Sequence, residues 1–295
     1  MMNINFETPI NTIIDLNEFN KFRNFIFPIQ WGYPKNLKLK DIDRLLPYHT
    51  CLRKETTLDV INTIYEKTCT QKNFFIDIYS DDEKLLDYSK KETGLFFFKG
   101  DKNKPFAIIC AGGGFSYVGS IQESFPHAIE LSKKGYNAFV LHYRLGNANL
   151  ACEDLARAIA YIFNHHNELE INLSSYSLWG GSAGARMAAY LGSYGTKVFI
   201  NEYYPKPACV VMQYTGHSHF TDTDPATFAC IGVNDRIASV QVMRNRINHL
   251  NNYGIPTQFK TYSNLGHGFG LGVNTTAEGW IEDAIHFWEQ QMEEI

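Results

Sequence analysis

From about residue 105 onward the chain alternates short apolar runs with segments of helical period. The apolar runs are 106–110 (FAIIC), 138–143 (AFVLHY), 176–179 (YSLW), 208–214 (ACVVMQY), 228–232 (FACIG) and 257–262 (TQFKTY). Runs that stay apolar without alternation suit strands covered on both faces, as in a parallel sheet. Between them, apolar residues recur at steps of three and four. Leu155, Ile159, Ile162 and Phe163 form one such stripe, Val240, Met243, Ile247 and Leu250 a second, and Ile281, Ile285, Trp288 and Met292 a third. Strand and helix alternating over nearly two hundred residues predict an α/β fold, with a mostly parallel central sheet and helices on both faces.

The first hundred residues are patterned differently. Residues 1–50 are rich in Asn, Phe, Lys and Pro and show little period. A helix is predicted over 57–69, with Leu58, Ile61 and Ile64 or Tyr65 on one side. FFIDIY (74–79) and GLFFFKG (94–100) read as two strands of an antiparallel edge, joined by the charged connection SDDEKLLDYSKKE (80–92). No repeat or Gly/Ser-rich linker divides the chain. The expected organisation is a main domain over 71–295 carrying an N-terminal extension over 1–70, which is either a clasp on the fold or a lid over a pocket.

Composition narrows the function classes. The chain has 295 residues, 44% hydrophobic and 20% charged, as an ordinary globular protein does. Its 27 basic and 31 acidic side chains give a net charge of −4 with no block of one sign, which leaves no electrostatic footprint for nucleic acid or an anionic membrane. No run approaches the ~20 apolar residues of a membrane span. The opening MMNINFETPINTIIDL lacks a basic segment followed by an apolar one, so no secretory signal is read there. Cys51, Cys69, Cys110, Cys152, Cys209 and Cys230 include no C-x-x-C pair, and three of them lie in apolar runs. They read as reduced structural thiols in a cytoplasmic protein, with neither disulfides nor a zinc site.

The candidate chemistry starts at LWGGSAGARM (178–187). Five small residues, Gly180 to Gly184, stand between an apolar run and a helix-like one. They fit G-x-S-x-G, in which Ser182 occupies a sharp strand-to-helix turn. Side chains two positions either side of the serine would strike the neighbouring strand and helix, and glycine avoids both collisions. Three further segments bear on Ser182. After the strand FAIIC comes AGGGF (111–115), whose amides at Gly113 and Gly114, with that of Ala183, are candidate oxyanion donors. A phosphate loop is the rival reading, but G-x-G-x-x-G is absent and no Lys-Ser/Thr follows. After FACIG, Asp235 can accept a hydrogen bond from a histidine and fix its tautomer. Asp235 could equally cap a helix, and Asp222 and Asp224 are rivals from the preceding loop. After the last strand, His267 sits among glycines with no core to fill.

Together AGGGF, HYRLG (142–146), GGSAG, the Asn234-Asp235 loop and HGFGLG…AEGW (267–280) resemble the α/β-hydrolase superfamily. Within it the chain is similar to the small serine esterases grouped with acetyl-xylan, feruloyl and hormone-sensitive-lipase-like enzymes. The resemblance covers roughly 74–295. Ala111 stands where that family often places a histidine before its glycines, and the extension does not match the usual lids. The order Ser182, Asp235, His267 is the triad order of that fold.

What this implies is a serine-dependent hydrolase of small or sugar-linked carboxylic esters, acting through an acyl-enzyme with no cofactor and no metal. Its partners would be small-molecule esters, with a homo-oligomer left open. The alternatives are a prolyl-oligopeptidase-like peptidase, or a hydrolase homologue that binds a ligand without turning it over. Tyr117, Tyr143 and the loop 215–224 are expected to border the pocket. His217 and His219 read as polar loop residues rather than metal ligands, and Arg144 as a group near the pocket or a buried structural ion pair.

Overall fold

The computed structural model describes residues 4–293. The apolar runs pair as one eight-stranded sheet. In chain order the strands are β1 (Phe75–Ile76), β2 (Gly94–Phe98), β3 (Phe106–Cys110), β4 (Asn137–His142), β5 (Ser177–Gly181), β6 (Cys209–Gln213), β7 (Ala226–Gly232) and β8 (Thr257–Tyr262). Their order across the sheet is β1-β2-β4-β3-β5-β6-β7-β8. Strands β3 to β8 are mutually parallel, and β2 runs antiparallel to both β1 and β4. Every residue of β2 to β7 is buried, as strands covered on both faces must be. Edge strand β8 is only half-buried.

From β3 the chain crosses to β4 on one side, then returns to β5 on the other. Right-handed crossovers therefore put the helices Phe125–Lys133 and Ala148–Asn164 on opposite faces of the sheet. The helix Ala183–Tyr194 packs beside Ala148–Asn164 and on β5 and β6, and the helix Trp280–Glu293 covers β6 and β7. Strand order reverses at β3, and in open sheets of this kind ligands bind beyond the carboxyl ends of the strands at such a reversal. The loops after β3, β5, β7 and β8 all leave at that end.

Two N-terminal expectations change. Of 74–79, only Phe75 and Ile76 pair as strand. The charged connection that follows contains a helix, Asp81–Leu86, with Ser80 and Glu83 forming a capping box. That S-x-x-E signature was present in the sequence, and it ends the strand early because Ser80 must leave the sheet to cap the helix. The helix predicted over 57–69 spans Lys54–Thr70. Arg144 is buried against Asp154 at 2.7 Å and Tyr79 at 3.2 Å, so it is a structural ion pair.

Weak periodicity over residues 4–50 reflects short turns rather than an absence of packing. Here the chain forms one five-residue helix, Ile10–Ile14, and 3-10 turns at Asn17–Phe19, Arg23–Phe25 and Leu39–Leu45. These turns deliver apolar side chains singly into the same core as the sheet. Phe22 lies 5.0 Å from Phe96 of β2, 5.2 Å from Phe75 and 6.2 Å from Phe74, ring centre to ring centre.

If residues 1–70 act as a clasp, Phe22→Ala should destabilise the whole protein by about 3–5 kcal/mol, the usual cost of emptying a buried phenylalanine site. Denaturant unfolding should then shift as one transition. A separate early transition, with the main one unmoved, would instead describe a detachable lid.

Candidate active site

Ser182 follows β5 directly and opens the helix Ala183–Tyr194. Its backbone angles, φ 50° and ψ −112°, are ones that an L-residue avoids. The turn holds because glycine surrounds it. A Cβ on Gly180 would collide with the backbone of Gly184, and one on Gly184 with the Cys110 carbonyl of β3. The Ser182 N–H donates to the Gln213 carbonyl at 3.0 Å, which ties the elbow to β6. At the N-terminus of a twelve-residue helix, the serine also sits where the helix dipole favours negative charge.

His267 and Asp235 reach the serine from two other loops. His267 Nε2 lies 3.0 Å from Ser182 Oγ, and His267 Nδ1 lies 2.8 Å from Asp235 Oδ2. The other Asp235 oxygen accepts from the amides of Ile237 and Ala238, both at 2.8 Å, and its side chain is fully buried. Donation from Nδ1–H to Asp235 leaves Nε2 free to accept the serine proton. Of the rivals, Asp224 pairs with Arg246 and accepts from Thr221 instead. The His267 carbonyl accepts from both the amide and the hydroxyl of Thr50, at 3.0 and 2.7 Å. Gly268 and Gly270 take positive φ on either side of Phe269. Gln213 Nε2 and Trp280 Nε1 each donate to the Gly270 carbonyl at 3.0 Å, which pins the far side of the loop.

The glycine loop after β3 lies beside the elbow. Gly113 and Gly114 both have positive φ. Their amides, and that of Ala183, donate to no backbone or side-chain acceptor among the described residues. Tyr143 and Tyr117 do not border an open pocket. Tyr143 is fully buried and donates its hydroxyl to the Ala111 carbonyl at 2.7 Å, so it braces this loop from below. Tyr117 is buried under Tyr48, stacked at 5.9 Å, and Trp31, edge-on at 5.2 Å. The exposed aromatic surface there belongs to Trp31 and Tyr48 of the extension.

His217 and His219 lie with ring centres 5.6 Å apart and both pack on Tyr190. His217 is buried, and burial, with the Arg246 charge next, pulls its pKa down to about 3. Among the described residues no group of three or more His, Cys, Asp or Glu side chains could hold a metal ion. No described helix is long and apolar enough to cross a membrane.

Sequence reasoning missed Glu123 and His49. The Glu123 carboxylate is buried behind the elbow, where a Cβ on Gly112 would fall 2.6 Å from its Oε2 and 2.8 Å from the Ser182 Cβ. It accepts from the Gly112 amide and lies 2.9 Å from His49 Nε2. Burial alone would push this carboxyl up. The charge and contact of His49, the His267 charge and the Gly112 N–H outweigh burial and hold it below the ordinary carboxylate value. No motif marks Glu123, and His49 comes from the stretch with the least pattern.

Residues 96–241 match the BD-FAE family model, a span that includes Ser182 and Asp235 and ends before His267. Solved structures of similar fold include an acetyl ester-xyloside bifunctional hydrolase from Caldicellulosiruptor lactoaceticus. It is 19% identical, covers 73% of this chain and 95% of its own, and gives a TM-score of 0.65. An α/β hydrolase enzyme from a Medee basin deep-sea metagenome library is 21% identical over 68% of this chain and 93% of that one, with a TM-score of 0.60. A carboxylesterase from Lactobacillus plantarum is 17% identical over 68% and 92%, also with a TM-score of 0.60. The chain is an α/β hydrolase in fold. No curated protein sequence matches it significantly.

Within this fold, the backbone at position 182 predicts an inversion of the usual glycine penalty. Ser182→Gly should be at least as stable as Ser182→Ala, although glycine ordinarily costs about 0.5–1 kcal/mol relative to alanine. Paired thermal unfolding of the two variants checks this; a clearly less stable glycine variant would mean that the turn carries no strain.

Proposed function

We propose that this chain is a serine-dependent hydrolase of small-molecule carboxylic esters. The observation that carries the reading is the continuous chain of contacts from Ser182 Oγ through His267 to Asp235, at 3.0 and 2.8 Å. The spacing is hydrogen-bond reach for nucleophile, base and orienting carboxylate in turn. The BD-FAE match and the esterases among proteins of like fold lend the reading further weight.

In this mechanism His267 Nε2 takes the hydroxyl proton as Ser182 Oγ attacks the ester carbonyl, while Asp235 stabilises the imidazolium that results. The tetrahedral oxyanion accepts from the amides of Gly113, Gly114 and Ala183. Those N–H groups have no other partner among the described residues, so they need break no bond to serve. The imidazolium then protonates the leaving alcohol, which departs and leaves an acyl-Ser182 ester. Water enters along the same line, loses a proton to His267 and releases the carboxylic acid, restoring the serine.

The test is hydrolysis of p-nitrophenyl acetate, butyrate and octanoate. Ser182→Ala should lose at least ~100-fold in kcat/KM while remaining folded. Asp235→Asn should retain the geometry but leave Nδ1 facing an amide; a loss on the order of 10³–10⁴ in kcat is expected from the misassigned tautomer. Equal, slow hydrolysis by wild type and Ser182→Ala would remove the esterase reading for these substrates.

A further inference from the structure

Glu123 and His49 are two ionisable groups, each with a side chain only 1% exposed, beside the reacting centre and with no part in the steps above. Their placement is specific. The carboxylate fills the space behind the oxyanion loop and the elbow together. One oxygen accepts the Gly112 amide, and a Cβ on Gly181 would fall 2.9 Å from that same oxygen. Its other oxygen faces His49 Nε2 at 2.9 Å. This contact is a close approach rather than an aligned hydrogen bond, since neither His49 ring nitrogen completes one. The flanking residues of His49 hold the other half of the site. Thr50 donates twice to the His267 carbonyl, and the Tyr48 carbonyl and His49 Cα lie where a Gly268 side chain would project.

A buried carboxylate next to an oxyanion site presents an electrostatic problem. Its charge opposes the negative charge that develops on the substrate oxygen, and its desolvation is costly unless a cation is adjacent. The groups facing Glu123 are His49 from the extension, His127 from the helix Phe125–Lys133, His267, and the phenols of Tyr117, Tyr143 and Tyr214. Burial pulls His127 down to about 4, so it is neutral near pH 7. His49 is the side chain in direct contact with the free oxygen of the carboxylate, at 2.9 Å.

We propose that His49 and Glu123 are a positioning pair for the reaction described above. Glu123 holds the Gly112–Gly114 loop against the Ser182 elbow, and His49, supplied by the N-terminal extension, holds Glu123 from the other side. The proposal rests on the serine-hydrolase reading. It makes residues 48–50 part of the active site's scaffold, bracing the oxyanion loop through His49 and the His267 loop through Thr50.

The sign of a double substitution tests this. Rates are measured on p-nitrophenyl butyrate and divided by the number of sites that react with a fluorophosphonate, so that unfolded protein does not count. His49→Gln leaves the carboxylate unpaired, and kcat per site should fall on the order of 10- to 100-fold, the cost of a small displacement of the donors, with KM within about twofold. Glu123→Gln, neutral and of similar shape, can still accept from Gly112 and should lose less than His49→Gln. Adding His49→Gln to Glu123→Gln should then cost almost nothing, so that the double variant is faster than His49→Gln alone. If His49→Gln does not accumulate as folded protein, the rate of the double variant against Glu123→Gln carries the same information. A His49→Gln variant with wild-type kcat per site overturns the proposal. So does a double variant that adds the losses of the two singles, because a pair that only stabilises the fold would behave in one of those ways. Failure of the wild type to label at Ser182 overturns the serine-hydrolase reading itself and this proposal with it.

Discussion

The Cys110 carbonyl at the end of β3 occupies the space where any side chain on residue 184 would begin, and Gly184 in turn fills the space over Gly180. This three-way backbone contact brings the start of the helix Ala183–Tyr194 against the strand that feeds the Gly112–Gly114 loop. The Gly112 end of that loop consequently lies against Ser182. A methyl group at either glycine would have to push strand and helix apart, and packing inside a protein has little slack for such a shift. The positive φ of Ser182 is the corresponding local cost, tolerated because β5 and the helix both fix the turn from outside.

Once the elbow is fixed, the histidine has to be brought to it, and the sheet alone does not achieve that. His267 leaves edge strand β8, which is the least buried of the long strands, and Leu265 and Phe269 on either side of it are buried in the core. Hydrogen bonds add to that anchorage. Gln213 and Trp280 grip the Gly270 carbonyl from the core side, and Thr50 grips the His267 carbonyl from the extension. The extension can act as a fixed support because its phenylalanines share the core of the sheet.

The sheet was legible because each parallel strand must be apolar on both faces, which leaves an unbroken run that no polar face interrupts. Phe106–Cys110 was read to the residue for that reason, whereas Thr257–Tyr262, at the half-buried edge, matches its reading despite its polar residues. Ser182, Asp235 and His267 were legible because each follows such a run, in loops where glycine or a polar residue has no packing reason to be. The 3-10 turns of residues 4–50 were not legible. Each places one or two side chains in the core and then changes direction, so no period accumulates over a window. Tyr117 and Tyr143 were assigned to the pocket from topology, but loop position does not fix side-chain direction, and both rings turn inward to support the glycine loop.

Glu123 was invisible for a different reason. A glutamate in SIQESFP looks like any solvated residue at a helix start, and only the approach of residues more than seventy positions earlier in the chain takes it out of water. Burial of a carboxylate is a property of the assembled fold, and its consequences reach back to the assembly. The buried carboxylate keeps its neighbour only while His49 is seated at 2.9 Å, and His49 follows directly on the turns of the extension. Packing of the extension and placement of the Gly112–Gly114 loop are therefore coupled through this one contact. That coupling gives an irregular segment with no catalytic motif a direct hold on the geometry around Ser182.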